Sequence, residues 1–142
     1  MIYIEKDKSS FLERTNKTLK GIVMNIEEQI FEDFKTWLAG LIEDDPIPYE
    51  IKSVSFYVNK NNEIGFSGSE EEARSIIDID FYFPLEAEYF YSQALIDFTN
   101  SKADILKLLE KILKKYVNYE NNIFKNKTIY YGLLYDKAIL IK

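Results

Sequence analysis

The chain predicts an α+β fold. Two segments repeat apolar residues every three to four positions, and the stretches between and after them alternate with period two. At 142 residues, a composition 46% hydrophobic and 15% aromatic supplies one packed core. The expected architecture is an antiparallel sheet of about five or six strands, a meander plus a C-terminal strand pair. It packs against an N-terminal helical segment and a later Lys-rich helix. Residues 1–142 read as one domain, because no linker, repeat or low-complexity stretch divides them.

The first strong helix spans Ile26 to Ile42, where Ile26, Ile30, Phe31, Phe34, Trp37, Leu38, Leu41 and Ile42 fall on one face. Glu27, Glu28, Glu32, Asp33 and Lys35 occupy the other. Asn25 followed by Glu28 matches a capping box, and Pro46 and Pro48 forbid continuation past Glu43, Asp44 and Asp45. Upstream, Ser10 to Met24 carries a weaker stripe of Leu12, Leu19, Ile22 and Val23, read as a separate helix bent at Gly21.

Period two takes over in Glu50 to Lys60, where Val54, Phe56 and Val58 alternate with Ser53, Ser55, Tyr57 and Asn59. Asn61 and Asn62 tolerate the left-handed backbone of a hairpin turn, and Glu63 to Ser67 returns as its partner. Arg74 to Phe83 alternates again, with Ile77, Ile79, Phe81 and Phe83 opposite Ile76, Asp78, Asp80 and Tyr82. Leu85 to Phe98 fits either period and is read as a strand continuing the meander. The second strong helix is Lys102 to Val117, with Ile105, Leu108, Leu109, Ile112, Leu113 and Tyr116 inward and Lys107, Lys111, Lys114 and Lys115 outward. Ser101 and Asp104 suit its first turn. Asn118 to Lys127 is a loop, and Thr128 to Tyr135 and Ala138 to Ile141 are strands joined at Asp136 and Lys137.

The chain has no histidine and no cysteine, and only 2 of its 18 basic residues are arginine. It therefore lacks the usual neutral-pH acid/base group, the usual thiol nucleophile and the commonest zinc ligands. No catalytic residue and no cofactor are assigned. Every long apolar run is broken by charge, which argues against a membrane span. The opening MIYIEKDKSSFLER has neither a signal-peptide core nor a small-residue cleavage site, so a cytoplasmic location is expected.

Charge is polarised along the chain. Glu27 to Glu88 holds 16 acidic and 4 basic residues, a local −12, whereas Lys102 to Lys142 holds 9 basic and 4 acidic, a local +5. An acidic surface steers basic partners, although the same residues also suit a solvated face. Nucleic acid is a poor partner, since phosphate binding needs a basic stripe and favours the arginine fork.

Asp78 and Asp80 are the best metal candidates, because residues two apart on a strand project from one face and can hold Mg²⁺ or Mn²⁺. An ordinary solvent face opposite Ile77, Ile79, Phe81 and Phe83 explains them as well and is preferred. Gly65 to Ser69 has neither the nucleophile-elbow pattern nor a phosphate-loop ending and reads as a tight loop, or as a cap in which Ser69 and Glu72 start a short helical turn. Tyr89, Phe90 and Tyr91, with Tyr82, read as core and rim aromatics or as interface anchors.

An acidic N-terminal helix, the meander segment Ser53-Val54-Ser55-Phe56-Tyr57-Val58, a later Lys-rich helix and a terminal strand pair together resemble the small α+β immunity proteins of bacterial polymorphic-toxin systems. That resemblance implies a cytoplasmic, non-enzymatic antitoxin that binds a cognate toxin domain, often a basic nuclease, and occludes its active site. The partner-facing residues would be Glu27, Glu28, Glu32, Asp33, Glu43, Asp44, Asp45, Glu70, Glu71 and Glu72, with Tyr82 as an anchor. The competing classes are a divalent-metal enzyme or metal-binding domain built on Asp78 and Asp80, and a structural or self-associating subunit.

Overall fold

Helix α1 spans Ile26–Asp44 because its apolar residues recur at helical spacing and Asn25 caps its start. The Asn25 carboxamide oxygen accepts from the Glu27 and Glu28 amides at 2.9 and 3.3 Å, with Glu27 and Glu28 at the positive end of the helix dipole. A computed structural model of the chain describes residues 25–71, 81–82 and 89–141. The expected helix over Ser10 to Met24 lies outside the described residues, as do Glu72, Asp78, Asp80 and most of the strand expected over Arg74 to Phe83.

The strands are β1 (Ser53–Val58), β2 (Ile64–Ser69), β3 (Phe81–Tyr82), β4 (Thr128–Leu133) and β5 (Ile139–Leu140), and the remaining helices are α2 (Gln93–Phe98) and α3 (Lys102–Tyr116). The described sheet runs β3-β2-β1-β4-β5. The α+β class is confirmed, and two expectations are corrected. The sheet is mixed: β1 pairs antiparallel with β2 but parallel with β4, from Ser53 opposite Thr128 to Val58 opposite Leu133. Residues 59–127 form the long crossover that a parallel pair requires. The continuous strand expected over Leu85 to Phe98 is also absent from its described part. Phe90 makes one isolated bridge to Ile64, and Gln93–Phe98 is helical because Ser92 caps it, its hydroxyl accepting from the Leu95 amide at 3.1 Å.

The two faces of the sheet differ. Register places Phe56 beside Phe66 and Tyr131, and Val58 beside Ile64 and Leu133, on the face that meets α1 and α3. Phe34 of α1 sits at the centre of this core, fully buried, with its ring 5.5 to 6.0 Å from those of Phe56, Trp37, Phe90 and Tyr116. α3 contributes Leu109, Ile112, Leu113 and Tyr116, and Phe124 enters from the following loop against Phe56, Phe66 and Tyr116. Each such side chain stabilises the fold by about 1.5–3 kcal/mol through apolar area removed from water. The Tyr131 hydroxyl ties β4 to Glu110 of α3, and Lys114 followed by Tyr131 holds the Glu110 carboxyl below its usual range.

The opposite face carries small and hydroxylated residues: Ser53, Ser55 and Tyr57 of β1 lie beside Ser69, Ser67 and Gly65 of β2 and Thr128, Tyr130 and Gly132 of β4. Ser53 is fully buried and its hydroxyl donates to the Glu71 carbonyl at 2.6 Å. Because β1 and β4 are parallel, the β1–β2 turn and the β4–β5 turn lie at the same end of the sheet, joined where the Leu134 amide donates to the Val58 carbonyl. The site described next is at that end.

Candidate functional site: a tyrosine-rimmed cleft

The β1–β2 turn is organised by Asn59. Its side-chain oxygen accepts from the Asn61 and Glu63 amides, both at 2.9 Å, and its side-chain nitrogen donates to the Glu63 carboxylate at 2.9 Å. Asn62 takes the left-handed backbone, φ 62°, that asparagine accepts at low cost. The turn is then fastened to the start of α3: Lys102 Nζ donates to the Asn59 carbonyl and, at 2.8 Å, to Asn62 Oδ1, while Asn62 Nδ2 donates to the Asn100 carbonyl at 2.9 Å. Lys102 thus serves as a staple between the turn and the start of α3.

Beside the turn, the Phe90 amide donates to the Ile64 carbonyl at 2.8 Å, which lays Tyr89 to Ser92 along the start of β2. Ser92 caps α2 and donates to Asp33 at 2.8 Å, so α2 is anchored to α1. The Thr99 hydroxyl donates to Asp104 and accepts from the Ser101 amide, fixing the link to α3.

These elements enclose a cleft of about 480 Å³, within the range of ligand and anchor pockets. Buried Phe90, Leu95 and Ile105 form its apolar wall, and Asn61, Glu63 and Asn100 supply polar groups. Tyr89, Tyr91 and Ile96 also line it, at 43%, 67% and 56% exposure. The Tyr91 hydroxyl donates to Gln93 at 2.7 Å, which restrains the ring.

Next to the cleft, the Tyr57 hydroxyl is hydrogen-bonded to Tyr89. Burial first, then Tyr89, Glu63 and Tyr135, push the Tyr57 phenol up to about 12. Tyr135 stands in the β4–β5 turn at φ 71°, a left-handed conformation that a bulky residue rarely adopts.

The acidic residues separate into two groups. Glu27, Glu28, Glu32 and Asp33 lie on the first half of α1. There Glu27 pairs with Lys111 at 3.2 Å and Glu32 with Lys35 at 3.0 Å, and Asp33 accepts from Gln29 and Ser92. Glu43 and Asp44 occupy the last turn of α1, about 15–25 Å further along the helix, and Asp45 is its C-cap. Glu70 and Glu71 follow β2, where the Lys52 amide at the end of the α1–β1 link donates to the Ser69 carbonyl. Tyr82 lies on edge strand β3, paired with Gly68. The acids at 27–33 and those at 43–45 therefore lie on opposite halves of α1.

No group of three or more metal-ligating side chains is assembled among the described residues, and Asp78 and Asp80 fall outside them. No helix among the described residues is long and apolar enough to cross a membrane. Residues not foreseen from sequence include Asn59, Glu63, Ile96, Asn100 and Lys102. Ser92, an N-cap residue type, was the local signal for α2, and Tyr89 and Tyr91, expected as core and rim aromatics or as interface anchors, lie exposed on the rim. No protein-family model, curated protein or solved structure matches this chain.

Proposed function

We propose that the protein is a non-enzymatic protein-binding module of the immunity type, a cytoplasmic antitoxin that binds and occludes a basic partner such as a toxin domain. The observation that carries this reading is the cleft, whose Tyr89, Tyr91 and Ile96 combine exposed aromatic and aliphatic surface with a scaffold fixed by Asn59, Lys102 and Ser92. Tyrosine gives large, rigid contact area with a polar tip, the character of an interface anchor.

Charge supports the same reading. Glu43 and Asp44 sit at the negative end of the α1 dipole with no basic residue in the last turn, an arrangement that costs the isolated helix about 0.3–1 kcal/mol per residue. Their placement suits attraction of a basic partner better than it suits stability, and charge of this kind mainly accelerates association.

The test exposes immobilised wild type and a Tyr89→Ala/Tyr91→Ala/Ile96→Ser variant, side by side, to lysate of the source organism. One stoichiometric basic protein retained by wild type and lost from an equally stable variant is the expected result. Equal retention by both contradicts the reading.

A further inference from the structure

The cleft contains the carboxylate of Glu63. Glu63 is held by Asn59 through one oxygen, at 2.9 Å, and forms no ion pair with any described residue. The nearby cation, Lys102, is already engaged by the Asn59 carbonyl and Asn62 Oδ1. The cleft thus offers a partly buried negative charge, the amides of Asn61 and Asn100, the rings of Tyr89 and Tyr91, and an apolar wall of Leu95 and Ile96.

From this arrangement we infer that the cleft receives an arginine side chain projecting from the partner. The inference rests on the protein-binding reading and specifies its anchor. A guanidinium is planar and weakly hydrated, stacks on aromatic faces, and presents several donors in a fixed fork. One edge donates to the second oxygen of Glu63, its remaining donors meet the Asn61 and Asn100 amide oxygens, its plane lies against tyrosine, and its methylenes cover Leu95 and Ile96. A lysine ammonium is compact and strongly hydrated. It matches the carboxylate but gains less from the rings and sacrifices more hydration against the apolar wall. Glutamate or aspartate from a partner would oppose Glu63 directly.

Amide and side-chain NMR of the full chain tests this with three capped pentapeptides, Gly-Gly-Xaa-Gly-Gly, in which Xaa is arginine, lysine or the neutral isostere citrulline. The arginine peptide is expected to give saturable shifts confined to Asn61, Glu63, Tyr89, Tyr91, Ile96 and Asn100. Citrulline should bind about tenfold more weakly, as should arginine with Glu63→Gln, which retains an acceptor for Asn59. Absence of saturable shifts, equal response to citrulline, or equal response to lysine overturns the assignment. Loss of the partner from the cleft variant without arginine shifts refutes the arginine anchor and leaves protein binding intact. Arginine shifts with partner retention unchanged uphold the anchor site and refute the cleft as the partner surface.

Discussion

The Tyr57 ring covers Gly65, its cross-strand neighbour: a Cβ added at Gly65 would stand 2.6 Å from Tyr57 Cζ and Oη. Glycine is required there by this close approach, since the β2 backbone at Gly65 has no positive φ. Gly65→Ala should swing the ring aside, break the Tyr57–Tyr89 hydrogen bond and lower stability by about 1–2 kcal/mol. Denaturant unfolding reads the loss, and NMR of the Tyr89 ring reads the displacement. An unchanged midpoint with unchanged Tyr89 shifts would contradict the packing described.

Lys102 lies in the first turn of α3, where a cation opposes the helix dipole, and compensates by fastening the β1–β2 turn. Lys102→Met removes both hydrogen bonds and should cost about 1 kcal/mol, since the Asn59 carbonyl keeps the Asn62 amide as a donor. Hydrogen exchange should accelerate at Asn62 and Glu63 more than at the β1–β4 pairs. Uniform acceleration would mean that Lys102 acts globally instead.

The Tyr57 phenol, pushed up to about 12, retains its proton in the folded chain after the unfolded chain has released it. Burial also raises Tyr116 and Tyr131. Between the ordinary tyrosine value near 10 and about 12, the folded state binds more protons, so stability falls as pH rises through this window. Urea unfolding at pH 9, 10 and 11 should show a declining midpoint, with a shallower decline in Tyr57→Phe. A flat profile in wild type would remove the assignment.

Phe34 bridges α1, β1 and α3, and its truncation leaves a cavity that neighbouring aromatics fill poorly. Phe34→Ala should cost about 3–5 kcal/mol in equilibrium unfolding, against less than about 1 for the exposed Tyr49→Ala. Comparable losses at the two sites would place the core elsewhere.

Both long helices were readable because amphipathic period, caps and breakers agreed: Asn25 and Ser101 begin them where expected. The hairpin was legible from Asn61 and Asn62 between alternating runs. The parallel pairing of β1 with β4 was not, because it depends on how the crossover returns, which no local pattern encodes. Ser53 and Ser55 are buried although they alternate with the core residues of β1, which alternation alone does not reveal. α2 was missed because its six residues are too short for periodicity to outweigh the aromatic run before them. The cleft joins residues from 61 to 105 through side-chain hydrogen bonds, so only its tyrosines could be singled out in sequence.

Under the proposed function, a partner protein docks on the tyrosine-rimmed cleft. Calorimetric titration of the captured partner against wild type, Tyr91→Ala and Tyr49→Ala tests it most directly. Both tyrosines are exposed, at 67% and 89%, so neither substitution should disturb the fold, and Tyr49 lies in the link between α1 and β1, at the far end from the cleft. Binding should be at least about tenfold weaker for Tyr91→Ala, with Tyr49→Ala unchanged. Equal affinities for all three, at equal Tm, would contradict it.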